Sequence, residues 1–307
     1  MKTVLSATST TISVKSIFTD FKEITKAGLA ISVVFSSIAG FILGVPNFAA
    51  INLTTLVMLA VGGYCMVGAS NAYNQIIEKD LDALMDRTKN RPIPSGRMST
   101  TQAFFVASLL TVAGLIILYC INPKTAMFGA VSIFLYTSIY TPLKTVTPLS
   151  VFVGAFPGAI PFMLGWVAAT GDFGIEAGTL FLIQFFWQFP HFWAIGWFLY
   201  EDYEKAGFFM LPSGKKDTTT ALQVILYTVW LIAASLLPFV LPYFVYTKLS
   251  LSIVGAALVF VLGLWMLYHA IRLYKIRTAK AAKTLMLASV AYITLLQMIY
   301  IFDKFLR

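Results

Sequence analysis

Long apolar stretches recur along this chain, and they limit its possible folds more than any motif does. They fall at 28–46, 51–73, 101–121, 125–142, 149–169, 177–199, 219–243, 251–271 and 284–303. Each is long enough to cross a hydrocarbon core of ~30 Å as a helix. Inside that core only helices and closed barrels satisfy their own backbone groups. The 307 residues are 59% hydrophobic and 11% charged, with mean hydropathy +0.82. The expected fold is an all-α integral membrane bundle of nine transmembrane helices, one domain over 27–307 preceded by a polar tail at 1–26. The tail has no continuous apolar core and no small-residue cleavage site, so it does not read as a secretory signal, and it has room for a short amphipathic helix.

A formal net charge of +9 does not point to nucleic acid here, because the bases stand at the ends of the apolar segments. With the N-terminus in the cytoplasm, the inner connections hold Lys2, Lys15, Lys22, Lys26, Lys79, Arg87, Lys89, Arg91, Arg97, Lys144, Lys205, Lys215, Lys216, Arg272, Lys275, Arg277, Lys280 and Lys283. The outer ones keep only Lys124, Lys248, Lys304 and Arg307 of the 22 bases. That asymmetry favours an N-in, C-out orientation. Cys65 and Cys120 both lie inside apolar runs and read as buried small hydrophobes, not as a disulfide or a metal pair.

Between the second and third runs lies the polar segment NAYNQIIEKDLDALMDRTKNRPIPSG, Asn71 to Gly96. Asn74, Glu78, Asp82 and Asp86 recur every four residues, so on a continuous helix they share one slowly drifting face. Carboxylates so placed repel by roughly 0.2–0.5 kcal/mol per pair, which calls for a cation among them. Oxygen ligands with no Cys or His nearby suit Mg2+, which takes one or two protein carboxylates and completes its shell with water and phosphate oxygens. Arg87, Lys89, Arg91 and Arg97 follow at once and offer donors to the same anion. A solvated loop that sets topology is the plainer reading of the same residues.

A second polar stretch, Leu199 to Thr220, repeats this chemistry. Glu201, Asp202 and Glu204 leave an apolar run directly, with Lys205, Lys215 and Lys216 behind them. By the expected topology both stretches share the cytoplasmic face, where two acidic clusters can hold metal on one diphosphate. Between them, Lys144 is the only charge in YTSIYTPLKTVTP, either a topology anchor or an anion ligand. Tyr136 and Tyr140 stand one helical turn before it. Their faces suit a carbocation in a dry pocket, although tyrosines at a helix end more often serve as an interfacial belt. Gly154 and Gly158 read as helix-packing residues, while Pro157 and Pro161 read as a bend beside a cavity. The run WQFPHFWAIGW, Trp187 to Trp197, carries His191 and Trp193, a histidine and ring cluster able to meet a large flat ligand.

Together these residues resemble the UbiA superfamily of membrane prenyltransferases. The superfamily's first aspartate-rich motif, Asn-x-x-x-Asp-x-x-x-Asp, corresponds to Asn74, Glu78 and Asp82. The run from Asp86 to Pro92 reproduces its Arg-Thr-x-x-Arg-Pro continuation. Trp187-Gln188-Phe189-Pro190-His191-Phe192-Trp193 and Asp202-Tyr203-x-x-Ala206-Gly207 ending in Met210-Leu211-Pro212 match its haem-modifying branch, and Tyr140-Thr141-Pro142-Leu143-Lys144 is a further match. The resemblance covers nearly the whole chain, and nine helices is also the superfamily's number. Two features depart from the pattern. Glu78 stands where aspartate is usual, and Leu199 and Tyr203 occupy the positions of the second motif's aspartates, leaving Glu201 and Asp202 as the available acids.

The resemblance implies transfer of a farnesyl group from farnesyl diphosphate to a vinyl carbon of haem b. It implies Mg2+ as cofactor and haem b and farnesyl diphosphate as substrates. The short tail, without transit-peptide character, suits the bilayer of a bacterial plasma membrane, with a mitochondrial inner membrane as the alternative. Haem A synthase or terminal-oxidase assembly proteins are the implied protein partners. The implied metal ligands are Asn74, Glu78, Asp82, Asp86, Glu201 and Asp202, and the diphosphate ligands are Arg87, Lys89, Arg91 and Lys144. Asn74, Glu78, Asp82, Asp202 and Lys144 are the expected catalytic set, and His191 and Trp193 the expected haem contacts. Two other functions share these residues. One is prenylation of an aromatic acid or quinone precursor by the same diphosphate machinery, against which the histidine and tryptophan run argues. The other is cation transport, against which the clustering of the acids at one face argues.

Overall fold

The structure is a computed structural model and describes residues 14–307, with side chains from residue 17 onward. Lys2 and the rest of the polar tail over 1–13 lie outside the described residues. The room left for an amphipathic helix is filled by α1 (Val14–Ile24), which turns its exposed Ile17 and Phe18 outward and buries Asp20 and Ile24.

Long helices make up the rest. They are α2 (Ala27–Gly44), α3 (Leu53–Ile77), α4 (Thr100–Ile121), α5 (Pro123–Phe134), α6 (Ser150–Thr170), α7 (Ile175–Phe198), α8 (Thr218–Ser235), α9 (Ile253–Ile276) and α10 (Ala279–Phe305). No strand occurs among the described residues. The polar connections supply the helix starts. The side chains of Asn52, Ser99, Asn122, Asp217, Ser252 and Thr278 each accept a hydrogen bond from a backbone N–H in the first turn that follows.

Eight of these helices are long and apolar enough to cross a membrane: α2 to α6 and α8 to α10, with α5 counted through Leu143 and α8 through Tyr243. The ninth expected crossing corresponds to α7, which has 24 residues but is more polar, carrying Gln184, Gln188, Pro190 and His191. Its place is inside the bundle, against α6, α8 and α10. A helix there faces protein and does not need the hydropathy of a lipid-facing one. This is a multi-pass membrane protein.

Each helix packs on the next along the chain, and α10 returns to α2 and closes the ring. Helix α6 is the most enclosed of the eight apolar crossings. It crosses α2 where two glycines leave no room for side chains. A Cβ on Gly40 would stand 2.0 Å from the Phe162 carbonyl oxygen, and one on Gly165 would stand 1.9 Å from that of Ser37. Gly154 and Gly158 also serve packing, since a Cβ on them would strike the Tyr140 ring and the Gln188 side chain. Helix α6 runs unbroken through Pro157 and Pro161. Pro161 has no N–H to offer the Pro157 carbonyl, and the Ser132 hydroxyl donates to it instead, at 3.4 Å.

Candidate active site

The site begins at a corner. Helix α1 ends against two amide side chains of α3, one turn apart. Asn71 Nδ2 donates to the Thr25 carbonyl at 3.0 Å, and Gln75 Nε2 donates to those of Glu23 and Ile24 at 3.1 and 2.9 Å. These carbonyls are left open by the helix end and are satisfied here from outside. The chain then reverses into α2 through Lys26, whose φ of 47° and ψ of 57° are left-handed. That conformation costs a non-glycine residue roughly 1–2 kcal/mol, so the corner is held by its side-chain ties. Arg97 braces it from outside, pairing with Asp20 at 2.9 Å and with Glu23, and so is engaged by α1.

Within this frame the first motif is buried. Asn74, Glu78 and Asp82 are 1%, 4% and 0% exposed. Helix α3 stops at Ile77, Glu78 leaves the α region at φ −93° and ψ 10°, and a single turn over Lys79–Asp82 follows. The stripe expected on one continuous helix therefore ends at Asp82, and Asp86 lies beyond it on the surface. Buried carboxylates need partners, and each has one. Lys144 Nζ lies 2.7 Å from Glu78 Oε1, and Arg91 Nη1 lies 2.6 Å from Asp82 Oδ2. Thr88 donates to the Asp82 carbonyl at 2.7 Å and folds the loop back over the pair. Asn74 donates to Thr141 Oγ1 at 3.2 Å and accepts from Lys26 Nζ at 3.4 Å. Burial lowers the Lys26 ammonium to about 7, and the nearby charges of Arg91 and Lys144 act in the same direction.

Lys144 reaches the cluster because the end of α5 widens. Leu135–Tyr140 is a π turn, followed by Thr141–Leu143 with Pro142 in the run. Such turns are often found at functional sites. The Lys144 ammonium lies over the Tyr140 ring, 4.7 Å from its centroid, and 5.5 Å from that of Phe208. Tyr136 and Tyr140 pack together at 5.2 Å.

The remaining acids are gathered elsewhere. Asp202, on a short helix over Tyr200–Lys205, accepts the backbone N–H groups of Asp86 and Arg87 at 2.9 and 3.3 Å. Asp86 lies between Lys89 at 2.7 Å and Lys205 at 2.5 Å, whose hydrogen bonds hold its carboxyl at about 2. Arg87 donates to the Tyr203 hydroxyl at 3.2 Å and lies over its ring. Glu201 pairs with Lys216, which lowers its pKa. The two polar stretches are thus fastened together through Asp86 and Asp202, while Glu201 is paired within the second stretch, and these three acids form no common metal-binding group with Glu78 and Asp82 among the described residues.

Deeper in the bundle, the His191 ring stacks on Trp187 at 4.5 Å between centroids, and its Nδ1 lies 2.7 Å from Ser289 Oγ. Trp187 Nε1 donates to the Ser289 carbonyl at 2.6 Å. Trp193 is buried against Phe189 and Tyr227. His191 thus faces α10 and Trp193 faces α8, on different sides of α7.

The sequence matches the UbiA prenyltransferase family over residues 33–295. The chain belongs to that family. Among its relatives is the protoheme IX farnesyltransferase of Flavobacterium psychrophilum, 72% identical over 304 residues that cover 99% of this chain and 100% of that one. The protein of the same name from Cytophaga hutchinsonii is 39% identical over 94% and 98% of the two chains. Solved structures share the UbiA fold at low identity. A digeranylgeranylglyceryl phosphate synthase superposes with a TM-score of 0.77 at 17% identity, covering 95% of this chain and 100% of its own. A UbiA homologue from Archaeoglobus fulgidus bound to GPP and Mg2+ gives 0.67 at 14%, over 92% and 99%.

A UbiA-type magnesium site can be tested on the donor set. No three residues of His, Cys, Asp and Glu converge among the described residues. The first motif nevertheless offers two carboxylates and an amide oxygen, and Mg2+ requires no more than one or two protein carboxylates. Asp82 Oδ1 is buried with no hydrogen-bond partner. An orphaned buried carboxylate oxygen, in a motif whose Glu78 and Asn74 are also buried, is the donor a hard cation takes, so the residue chemistry fits the metal. Lys26, Asn71, Gln75 and Thr141 were not among the sequence candidates. Asn71 and Gln75 stand inside the motif segment, one turn apart. For Lys26 and Thr141 the contacts cross 48 and 67 residues of chain, and no local pattern carried that signal.

Proposed function

We propose that the protein transfers the farnesyl group of farnesyl diphosphate to a vinyl carbon of haem b, with water supplying the new hydroxyl and diphosphate leaving. The observation that carries the reading is the buried cluster of Asn74, Glu78, Asp82, Arg91 and Lys144 in a chain 72% identical, end to end, to a protoheme IX farnesyltransferase. Asn74, Glu78 and Asp82 would hold Mg2+, which supplies charge neutralisation on the diphosphate oxygens when bound. Lys144 and Arg91 present ammonium and guanidinium groups to the same oxygens, with Arg87 and Lys89 at the mouth. Asp202 and Asp86 keep the seam between the two polar stretches closed, which fixes Arg87. As the carbon–oxygen bond of the prenyl group breaks, Tyr136 and Tyr140 offer ring faces to the allylic cation. The terminal vinyl carbon attacks it, and water captures the cation left beside the porphyrin and loses a proton. Burial of the cluster keeps bulk water from the allylic cation. His191 and Trp193 contact the haem. The acid cluster faces the cytoplasm of a bacterial plasma membrane, as the distribution of bases supports.

The test is a reaction of purified protein in detergent with haem b, farnesyl diphosphate and magnesium, analysed by mass with a chelator control. The expected result is a metal-dependent farnesylated haem. Release of diphosphate with haem unchanged would retain the diphosphate site and overturn the acceptor.

A further inference from the structure

We infer that Lys26 is a ligand of the substrate diphosphate, a third cation delivered to the buried cluster by the α1–α2 corner. The inference rests on the prenyl diphosphate reading above and adds a residue to it.

Three observations carry it. The first is the backbone. Lys26 sits at φ 47°, a conformation that glycine or asparagine adopts at less cost, in a corner already fixed by Asn71 and Gln75. A chain that needed only the turn would be served better by either residue. What lysine adds is the ammonium.

The second is where that ammonium points. It is half-buried, and its hydrogen bond is to Asn74 Oδ1 at 3.4 Å, the long end of the range. Arg91 and Lys144 are each paired with a carboxylate, whereas Lys26 has no ion pair among the described residues. A half-buried cation aimed at a site and left without a counter-ion is arranged for an anion that arrives from outside.

The third is the charge of the cluster. Arg91 and Lys144 already balance Asp82 and Glu78, so Lys26 is a basic group with no carboxylate left to pair. Mg2+ would add positive charge to the cluster, and the substrate's multiply charged diphosphate is the group that offsets it. Lys144 and Arg91 reach the cluster from the α5 end and from the 83–99 loop, and Lys26 comes from a third element.

The experiment measures binding of farnesyl diphosphate without haem, by calorimetry in detergent with magnesium present, for the wild type and for Lys26→Met, Lys26→Gly and Lys26→Arg. Lys26→Gly suits the left-handed backbone and is expected to keep or raise the thermal unfolding temperature, so loss of binding there is not loss of fold. The expected result is affinity weakened about tenfold or more in the Met and Gly variants, the loss of a charged hydrogen bond to phosphate, with part of it restored in the Arg variant. Haem affinity, measured separately by absorbance, is expected to stay unchanged. Wild-type affinity in folded Lys26→Gly and Lys26→Met proteins would overturn the inference and leave the proposed function standing. A loss confined to haem would overturn it in favour of a propionate contact. A wild-type protein that binds no farnesyl diphosphate would overturn the diphosphate reading and this inference with it.

Discussion

At the residue scale the site is a set of buried charges whose partners differ in kind. Asp82 uses one oxygen on Arg91 and leaves the other without a partner. Asp82→Asn keeps the size and the Arg91 contact but removes the anionic donor, so turnover is expected to fall by about 10²-fold or more, the order seen when one such electrostatic group is lost. The magnesium concentration for half-maximal rate is expected to rise with it. Full activity at ordinary magnesium would remove Asp82 from the metal. His191 is a different case. Its Nδ1 is taken by Ser289 and one ring face by Trp187, leaving its other nitrogen and ring face to a flat ligand. His191→Ala is expected to weaken haem binding, read by absorbance titration, without changing farnesyl diphosphate affinity. Unchanged haem affinity would take it out of the acceptor site.

At the scale of elements, the bundle depends on close backbone approach where α2 crosses α6. Gly165→Ala places a methyl 1.9 Å from the Ser37 carbonyl oxygen, a backbone atom that cannot rotate away. The two helices must separate, and overpacking of this kind costs about 1–3 kcal/mol, so a thermal melt in detergent is expected to shift down clearly. An unchanged melt would show that the crossing is looser than its geometry. The helices themselves were legible in the sequence, because membrane length and side-chain caps are local properties. Asn52, Ser99, Asn122, Asp217, Ser252 and Thr278 mark their starts without reference to anything distant. The end of α3 was not legible. No glycine or proline stands between Ile77 and Asp82 to stop the helix. At the break Glu78 is paired with Lys144, 66 residues away, a contact that no local pattern marks. The i,i+4 stripe was therefore right through Asp82 and misleading for Asp86. Likewise Lys26 counts in the sequence only as one more inner-face base, and its inward aim comes from a corner tied by α3.

At the scale of the whole molecule, the two polar stretches meet in a seam that closes the bundle's charged end. Its centre is Asp202, which accepts two backbone N–H groups from residues 115 and 116 positions earlier. Lys205 bridges Asp86 and Asp202 from the same short helix. Removing the acceptor in Asp202→Ala frees the loop that carries Arg87, so hydrogen exchange over 83–98 is expected to quicken and the KM for farnesyl diphosphate to rise more than kcat falls. The pH dependence of the seam has a definite sign. The Asp86 carboxyl, held at about 2 by Lys205 and Lys89, lies below its value near 4 in an unfolded chain. Its contribution is therefore fully present above about pH 4 and is lost as pH falls through about 2. Exchange protection of the Asp86 and Arg87 amides is expected to hold from neutrality down to about pH 4 and to fade only below it. Opening of the seam near pH 6 would mean that a group other than Asp86 controls it. Protection that survives at pH 2 would mean that Asp202's grip on the backbone suffices without the lysine pairs. The expected course between these limits makes the seam a fixed part of the site at every pH at which haem and prenyl diphosphate would meet there.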